Sequence, residues 1–143
     1  MEIVGRCHCG NIAFLLTVDP SIGSLPARAC ACSFCTKHGG VWTSSPSGSL
    51  RVEIAKITEV SRYAFGTKTA TFHICAICGV VPVVTSEVEG RLYAVANVNA
   101  LEGISEGMLE RGTVSFDEEG ESERLARRAS SWIREVEFVH GAA

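Results

Sequence analysis

The chain has 143 residues, of which 46% are hydrophobic and 20% are charged, a composition typical of a folded globular protein and not of a disordered chain. Its formal net charge of −3 gives no general attraction to nucleic acid or anionic lipid, and no apolar run approaches the ~18 residues that a membrane span requires. The N-terminus lacks the regions of a signal peptide, so we expect one domain of residues 1–143 in the cytoplasm, where thiols stay reduced.

Short apolar runs broken by Gly, Pro and Ser predict strands over most of the chain. In chain order, the predicted strands are 11–18, 41–44, 50–54, 59–64, 68–74, 80–85 and 91–98. The first is apolar throughout, which indicates burial on both faces. In the fifth, apolar and polar residues alternate, which is the pattern of a half-buried strand. Pro82 lacks an amide proton and therefore predicts an edge or irregular strand for 80–85.

The last third of the chain predicts a short helix followed by a strand. Ser122 is expected to cap a helix that runs to about Ile133. Its apolar face would comprise Leu125, Ala129, Trp132 and Ile133, and three arginines, Arg124, Arg127 and Arg128, would point away from that face. A final strand is predicted over 135–140, and the acidic run 117–123 is expected to be a solvated loop. The predicted fold is mostly β with one short C-terminal helix.

Seven cysteines form three clusters: Cys7 and Cys9, then Cys30, Cys32 and Cys35, then Cys75 and Cys78. An odd number fits a full set of disulfides poorly, so metal binding is the better explanation. A structural zinc takes four thiolate or imidazole ligands, usually as two close pairs, and the outer two clusters supply such pairs. Each outer pair is followed by a glycine that lets the backbone turn close to the sulfurs. The alternatives are four separate buried thiols, or a redox C-x-x-C at the last pair.

The middle cluster, Cys30, Cys32 and Cys35, is the candidate active site. Three thiolates can hold one zinc ion and leave its fourth position for water or a substrate. Zinc lowers the pKa of an incoming thiol, and a thiolate held beside an aldehyde carbon adds to it to give a hemithioacetal. Two other interpretations stay open. In one, His38 is the fourth ligand of a Cys₃His site that has no free coordination position. In the other, the cluster holds metal loosely or not at all.

Three segments together, GRCHCGNIAF, CACSFCTKHGG and FHICAICGV, resemble the glutathione-dependent formaldehyde-activating enzyme family, which includes centromere protein V. The resemblance is strongest over residues 5–99. It implies a β-tent fold with zinc-held sheets, in which Cys7, Cys9, Cys75 and Cys78 hold a structural zinc. It also implies a second, catalytic or glutathione-linked zinc on Cys30, Cys32 and Cys35. The implied reaction joins glutathione and formaldehyde to S-(hydroxymethyl)glutathione, which makes the protein a carbon–sulfur lyase.

Glutathione carries two carboxylates, so its binding site should offer cations. Lys37 is the first candidate because it lies close to the middle cluster, followed by Arg62 and Lys68. His38 is the second residue predicted to contact the thiol substrate. His73 is either a partner to a ligand sulfur or a hydrogen-bonded strand residue, and His8 is expected to point away from the metal.

Asn97 and Asn99 share one face of a predicted strand and are candidates for the lining of a polar pocket. Trp42 and Trp132 are expected in the core. The alternative to an enzyme is a non-catalytic zinc-binding interaction module in which both metals are structural. A third hypothesis, methionine sulfoxide reduction, requires a nucleophilic cysteine outside the metal clusters, and none is left over if both clusters hold metal.

Overall fold

The computed structural model describes residues 1–141, which form eleven strands in two sheets together with two α-helices. The strands are β1 (Glu2–Arg6), β2 (Ile12–Thr17), β3 (Leu25–Cys30), β4 (Val41–Thr43), β5 (Ser49–Ile54), β6 (Val60–Tyr63), β7 (Thr71–Cys75), β8 (Val83–Val88), β9 (Arg91–Asn97), β10 (Leu109–Val114) and β11 (Glu135–His140). The helices are α1 (Ser33–His38) and α2 (Glu121–Ser131), and 3₁₀ turns cover Ile57–Glu59, Val98–Ala100 and Glu106–Met108. The mostly-β prediction is confirmed.

The smaller sheet has the strand order β1-β2-β5-β11. Its first three strands pair antiparallel, and β11 joins β5 in parallel. The larger sheet has the order β10-β3-β4-β9-β8-β7-β6, with a parallel pair between β10 and β3 and antiparallel pairs elsewhere. No helix among residues 1–141 is both long and apolar enough to cross a membrane.

Two groups of buried side chains form the core. One fills the space between the sheets and includes Ile12, Leu16, Val52, Val83 and Ile133. The other lies on the larger sheet, beneath α1 and α2, and is rich in aromatic residues, with Trp42, Phe72, Tyr93 and Trp132 as its largest members. The first group stabilises the contact between the sheets by removing apolar surface from water. The second forms the floor of the cavity described below.

The structure corrects the prediction for the strand around Pro82. This residue comes just before β8, which begins at Val83 and extends to Val88. Because Pro82 lies outside the ladder, its missing amide proton removes no hydrogen bond between strands. β8 is therefore an interior strand between β7 and β9, and the prediction of an edge or irregular strand is wrong.

The prediction that β7 is half-buried is also wrong, whereas the interpretation of His73 as a hydrogen-bonded strand residue is confirmed. His73 is buried, its ring packs 5.1 Å from the ring of Phe138, and its Nε2 lies 2.7 Å from Oγ1 of Thr85. Both faces of β7 are covered, by the aromatic group on the side of Phe72 and by the smaller sheet on the side of His73. The hydroxyl of Thr85 satisfies the polar ring, so an alternating pattern here does not mark a solvent face.

The C-terminal helix is present, but two of its predicted details are wrong. Helix α2 begins at Glu121 with Gly120 as its N-cap, not Ser122, and the Gly120 amide donates to Oε1 of Glu123 at 3.4 Å. Arg128 does not point into solvent, since only 6% of its surface is exposed. The polar face of α2 is turned towards the larger sheet, where it closes one side of a cavity.

Candidate functional site

The first candidate site is the cysteine tetrad, formed by Cys7, Cys9, Cys75 and Cys78. Cys7 and Cys9 lie in the turn between β1 and β2 of the smaller sheet, whereas Cys75 ends β7 of the larger sheet. All four sulfur atoms lie within 4.8 Å of one another. The Cys7 and Cys9 sulfurs are 3.8 Å apart, and the Cys9 and Cys75 sulfurs, 66 residues apart in sequence, are separated by 3.5 Å.

This spacing fits a closed tetrahedral zinc site. Zn–S bonds of about 2.3 Å place the sulfurs of a tetrahedron about 3.8 Å apart. The amide of Ile12 donates to the Cys7 sulfur at 3.3 Å, and that of Cys78 donates to the Cys75 sulfur at 3.5 Å. Burial raises the pKa of Cys7 and raises that of Cys75 to about 12. The thiolate forms of these buried side chains therefore require a cation, which is the chemistry that a metal supplies.

The second candidate site is the cysteine triad, formed by Cys30, Cys32 and Cys35. Cys30 is the last residue of β3, Cys32 is the N-cap of α1, and Cys35 lies within that helix. The Cys32 sulfur accepts a hydrogen bond from the Cys35 amide at 3.3 Å, and Gly39 ends the helix in the left-handed conformation with φ 72°. This strand-to-helix turn brings the three sulfurs within 4.8 Å of one another.

The electrostatics of the triad favour a thiolate. The pKa of Cys30 is lowered to about 6, mainly because the Cys35 thiol hydrogen-bonds to it and partly because of the positive charge of Arg127. The same hydrogen bond, together with burial, raises the pKa of Cys35. The indole Nε1 of Trp42 donates to the Cys35 sulfur at 3.4 Å. A cluster of three converging sulfurs, one of which is a thiolate, is suited to hold a soft metal ion.

The triad lies in the wall of a cavity of about 430 Å³, within the range of pockets that bind small molecules. Apolar and aromatic side chains form most of the lining, namely Trp42, Phe65, Ala70, Phe72, Val84, Val95, Val114, Phe116 and Trp132. Both tryptophans of the chain are among them, so these residues belong to the core and to the cavity at once.

Four arginines also line the cavity, and we call Arg28, Arg124, Arg127 and Arg128 the cavity arginines. Arg127 is paired with Glu119, whose carboxylate its Nε contacts at 3.0 Å, and its guanidinium lies 3.5 Å from the centre of the Phe116 ring. Arg124 donates to the carbonyl oxygen of Phe116 at 2.9 Å. Asp117 is the only carboxylate in the lining described for this cavity, so the site carries an excess of positive charge.

The residues proposed from sequence as contacts for glutathione lie elsewhere. Lys37, Arg62 and Lys68 are exposed and do not line the cavity. His38 is half-buried, with its ring centroid 4.5 Å from that of Phe34, and its Nε2 is buried without a hydrogen-bond partner. Burial lowers the pKa of His38. Its ring nitrogens do not join the group of sulfurs within 4.8 Å, so the geometry does not bring it to the triad as a fourth ligand.

The remaining candidates have structural contacts. His8 is exposed. The side chain of Asn97 is buried, donates to the Val81 carbonyl at 2.9 Å and accepts from the Asn99 amide, and the side chain of Asn99 donates to the Gly39 carbonyl. Neither asparagine lines the cavity.

The cavity arginines are candidate functional residues that the sequence analysis does not single out. A signal for them was present. Arg124, Arg127 and Arg128 follow the i, i+3, i+4 spacing that places side chains on one face of a helix. The sequence analysis places that stripe away from the apolar face of the helix and assigns it no function.

Fold and site together define a small β protein with two cysteine clusters of metal-binding geometry, one of them open to a cavity. The family model described as glutathione-dependent formaldehyde-activating enzyme matches residues 2–114. The chain therefore belongs to that family, and the resemblance seen in its sequence is confirmed. The matched segment includes all seven cysteines and ends with β10, before α2 begins.

One solved structure supports the same fold. The crystal structure of a Rhodobacter sphaeroides protein, a structural genomics target, matches with a TM-score of 0.53 and 29% sequence identity. The match covers 72% of this chain and 91% of that chain. No curated protein matches the chain significantly.

Proposed function

We propose that the protein is a zinc-dependent carbon–sulfur lyase that joins glutathione, or another small thiol, to formaldehyde or a related small aldehyde. The observation that carries this proposal is the position of the cysteine triad, with three sulfurs within 4.8 Å in the wall of the cavity. Among the described residues, no histidine or carboxylate completes the cluster, which leaves a coordination position for a substrate. Membership of the family supports the choice of substrates.

Each cysteine cluster has its own role in this proposal. The tetrad would hold a structural zinc that links the two sheets, and the triad would hold the zinc of the active site. When bound there, zinc lowers the pKa of a thiol and keeps it as a thiolate. The thiol sulfur then bonds to the carbonyl carbon, and the carbonyl oxygen takes up the proton that the thiol has lost. No atom or electron is left over in this addition.

The protein's own side chains supply positioning and charge. The aromatic walls shield the reacting groups from water, and the cavity arginines offer hydrogen-bond donors for the carboxylates of glutathione. Holding two reactants in contact converts a bimolecular step into an effectively unimolecular one, which lowers the barrier without any further catalytic group.

Titration calorimetry with glutathione and S-methylglutathione tests the proposal. A thioether cannot become a thiolate and is a poor zinc ligand, so we expect S-methylglutathione to bind at least tenfold more weakly. A cobalt-substituted sample should change its visible spectrum when glutathione is added, because the sulfur would enter the coordination sphere. Equal affinities and an unchanged spectrum would contradict the proposal and favour a non-catalytic interaction module.

A further inference from the structure

The lining of the cavity does not match the chemistry of glutathione and formaldehyde alone. Formaldehyde has two heavy atoms, and glutathione is polar along its whole length. The cavity, at about 430 Å³, is lined mostly by apolar and aromatic side chains, including Trp42, Phe72 and Trp132. A lining of this kind favours a ligand with an apolar body, because burial of apolar surface on both partners is favourable.

Arg128 gives the cavity a fixed cationic end. Only 6% of its surface is exposed, and its guanidinium lies 5.2 Å from the centre of the Trp132 ring. Its Nη1 donates to Oγ1 of Thr69 at 2.8 Å and to Oγ of Ser86 at 3.1 Å. These two bonds use both protons of Nη1 and hold the guanidinium plane in one orientation.

The other edge of the Arg128 guanidinium has no partner among the described residues. Its Nη2 donates to no acceptor in residues 1–141, its Nε is closed off from solvent and also lacks an acceptor, and no carboxylate in the same range lies within ion-pair distance of the side chain. Because the Nε atom is closed off from solvent, a ligand carboxylate would reach this guanidinium through Nη2, as a charge-assisted hydrogen bond. A buried, unpaired charge is costly, so an anion bound here would remove an existing penalty.

Neighbouring charges strengthen the preference for an anion. Arg124, one turn earlier on α2, has a buried Nε that also lacks a partner. Arg127 and Arg28 line the same cavity, and of these two Arg127 has its own carboxylate partner, Glu119. Burial, and to a smaller extent the charges of Arg127 and Arg124, lower the pKa of Arg128 to about 10. The guanidinium is therefore still protonated at neutral pH.

We propose that the cavity binds an organic acid with an apolar body, whose carboxylate lies on Arg128 and Arg124 and whose apolar part lies between Trp42, Phe72 and Trp132. The proposal goes beyond glutathione and formaldehyde, since neither has an apolar body. It assigns a recognition role to α2, which lies outside the segment matched by the family. It concerns the ligand class of the cavity and does not depend on a reaction at the triad.

Tryptophan fluorescence measures this binding directly, because both tryptophans of the chain line the cavity. The protein as purified is titrated with 3-phenylpropionate, with its neutral amide and with propionate. We expect a saturable change with 3-phenylpropionate and at least tenfold weaker binding of the other two. Equal binding of the amide would show that no anion site exists. Equal binding of propionate would show that the apolar lining contributes nothing, and either result overturns the proposal.

Variants locate the carboxylate. Arg128→Gln and Arg124→Gln should each weaken binding of 3-phenylpropionate at least fivefold without weakening binding of the amide. Arg134→Gln is the matched control, because Arg134 is exposed and does not line the cavity. Circular dichroism shows whether each variant is folded. If Arg128→Gln is not folded, Arg124→Gln and the comparison of the three ligands test the proposal. Unchanged affinity in the folded variants, or an equal loss in Arg134→Gln, overturns the assignment.

The outcomes for this proposal and for the proposed reaction are separate. If 3-phenylpropionate fails to bind while glutathione binds through its sulfur, the cavity proposal is wrong and the reaction stands. If 3-phenylpropionate binds and displaces glutathione, the cavity proposal is supported, and both ligands occupy one site.

Discussion

Replacing Cys75 with serine tests whether the cysteine tetrad fastens the two sheets together through a metal. Cys75 is fully buried, and its sulfur lies 3.5 Å from that of Cys9, 66 residues earlier in the chain. Serine removes one of four thiolate ligands and leaves a hydroxyl in a position suited to sulfur. Because zinc binding and folding are coupled in such sites, loss of the ligand appears as loss of stability.

The expected size of the effect follows from the length of the chain that the tetrad closes. A crosslink around a loop of 66 residues raises the free energy of the unfolded chain by about 4 kcal/mol, because it reduces the conformational entropy of that chain. Native proteins of this size are stable by about 5–15 kcal/mol, so the loss is a large part of the total. We expect Cys75→Ser to lower the melting temperature by roughly 10 °C and to release the structural metal.

Cys32→Ser is the matched control. The triad lies within one short turn, so a metal there ties together residues that are already neighbours. Cys32 is also the N-cap of α1 and accepts a hydrogen bond from the Cys35 amide, a role that serine fills well. We expect a loss of about 1 kcal/mol or less. The two variants are compared by thermal and urea denaturation, with metal analysis of the same samples. An equal loss of stability in Cys75→Ser and Cys32→Ser would refute the division into structural and functional clusters.

Three further predictions concern metal content, packing and His38. Native mass spectrometry should find two zinc ions per chain, or one full and one partial, and a metal-free protein would contradict both sites. Gly5→Ala should destabilise the protein by about 1–3 kcal/mol in urea denaturation, because a Cβ there overlaps the Phe14 ring, whereas Gly112→Ala, with open space around it, should have little effect. His38→Ala should leave metal content and glutathione affinity unchanged in calorimetry, because His38 lies outside the triad, and a gain in affinity would identify it as a ligand instead.

The sequence predicted the mostly-β fold, and every strand it proposed has a counterpart in the structure. It did not reveal β1, β3 or β10, whose residues are only partly apolar. β3 also contains Pro26, which normally argues against an interior strand. That proline is tolerated because β4 pairs with β3 only at Arg28 and Ala29, so β3 has a single neighbour at Pro26.

The grouping of the cysteines was readable because metal ligands come in close pairs along the chain. The cavity was not readable, because its lining comes from segments that are far apart in sequence. The direction in which α2 turns its arginines depends on what the helix covers, and here Ser86 of β8 and Thr69 of the loop before β7 offer polar partners for Arg128. Helical periodicity placed these arginines on one face, but only the tertiary structure decides whether that face meets solvent or protein.

The placement of the two cysteine clusters along the chain also sets an order of events during biosynthesis. The triad is complete once Cys35 has been made, whereas the tetrad is incomplete until Cys78 follows 43 residues later. At translation rates of about 5–20 residues per second, this interval lasts about 2–9 s. During that time the triad has its full set of sulfurs and the tetrad does not. A nascent chain therefore carries every sulfur of the cluster that lines the cavity before it carries those of the cluster that joins its sheets.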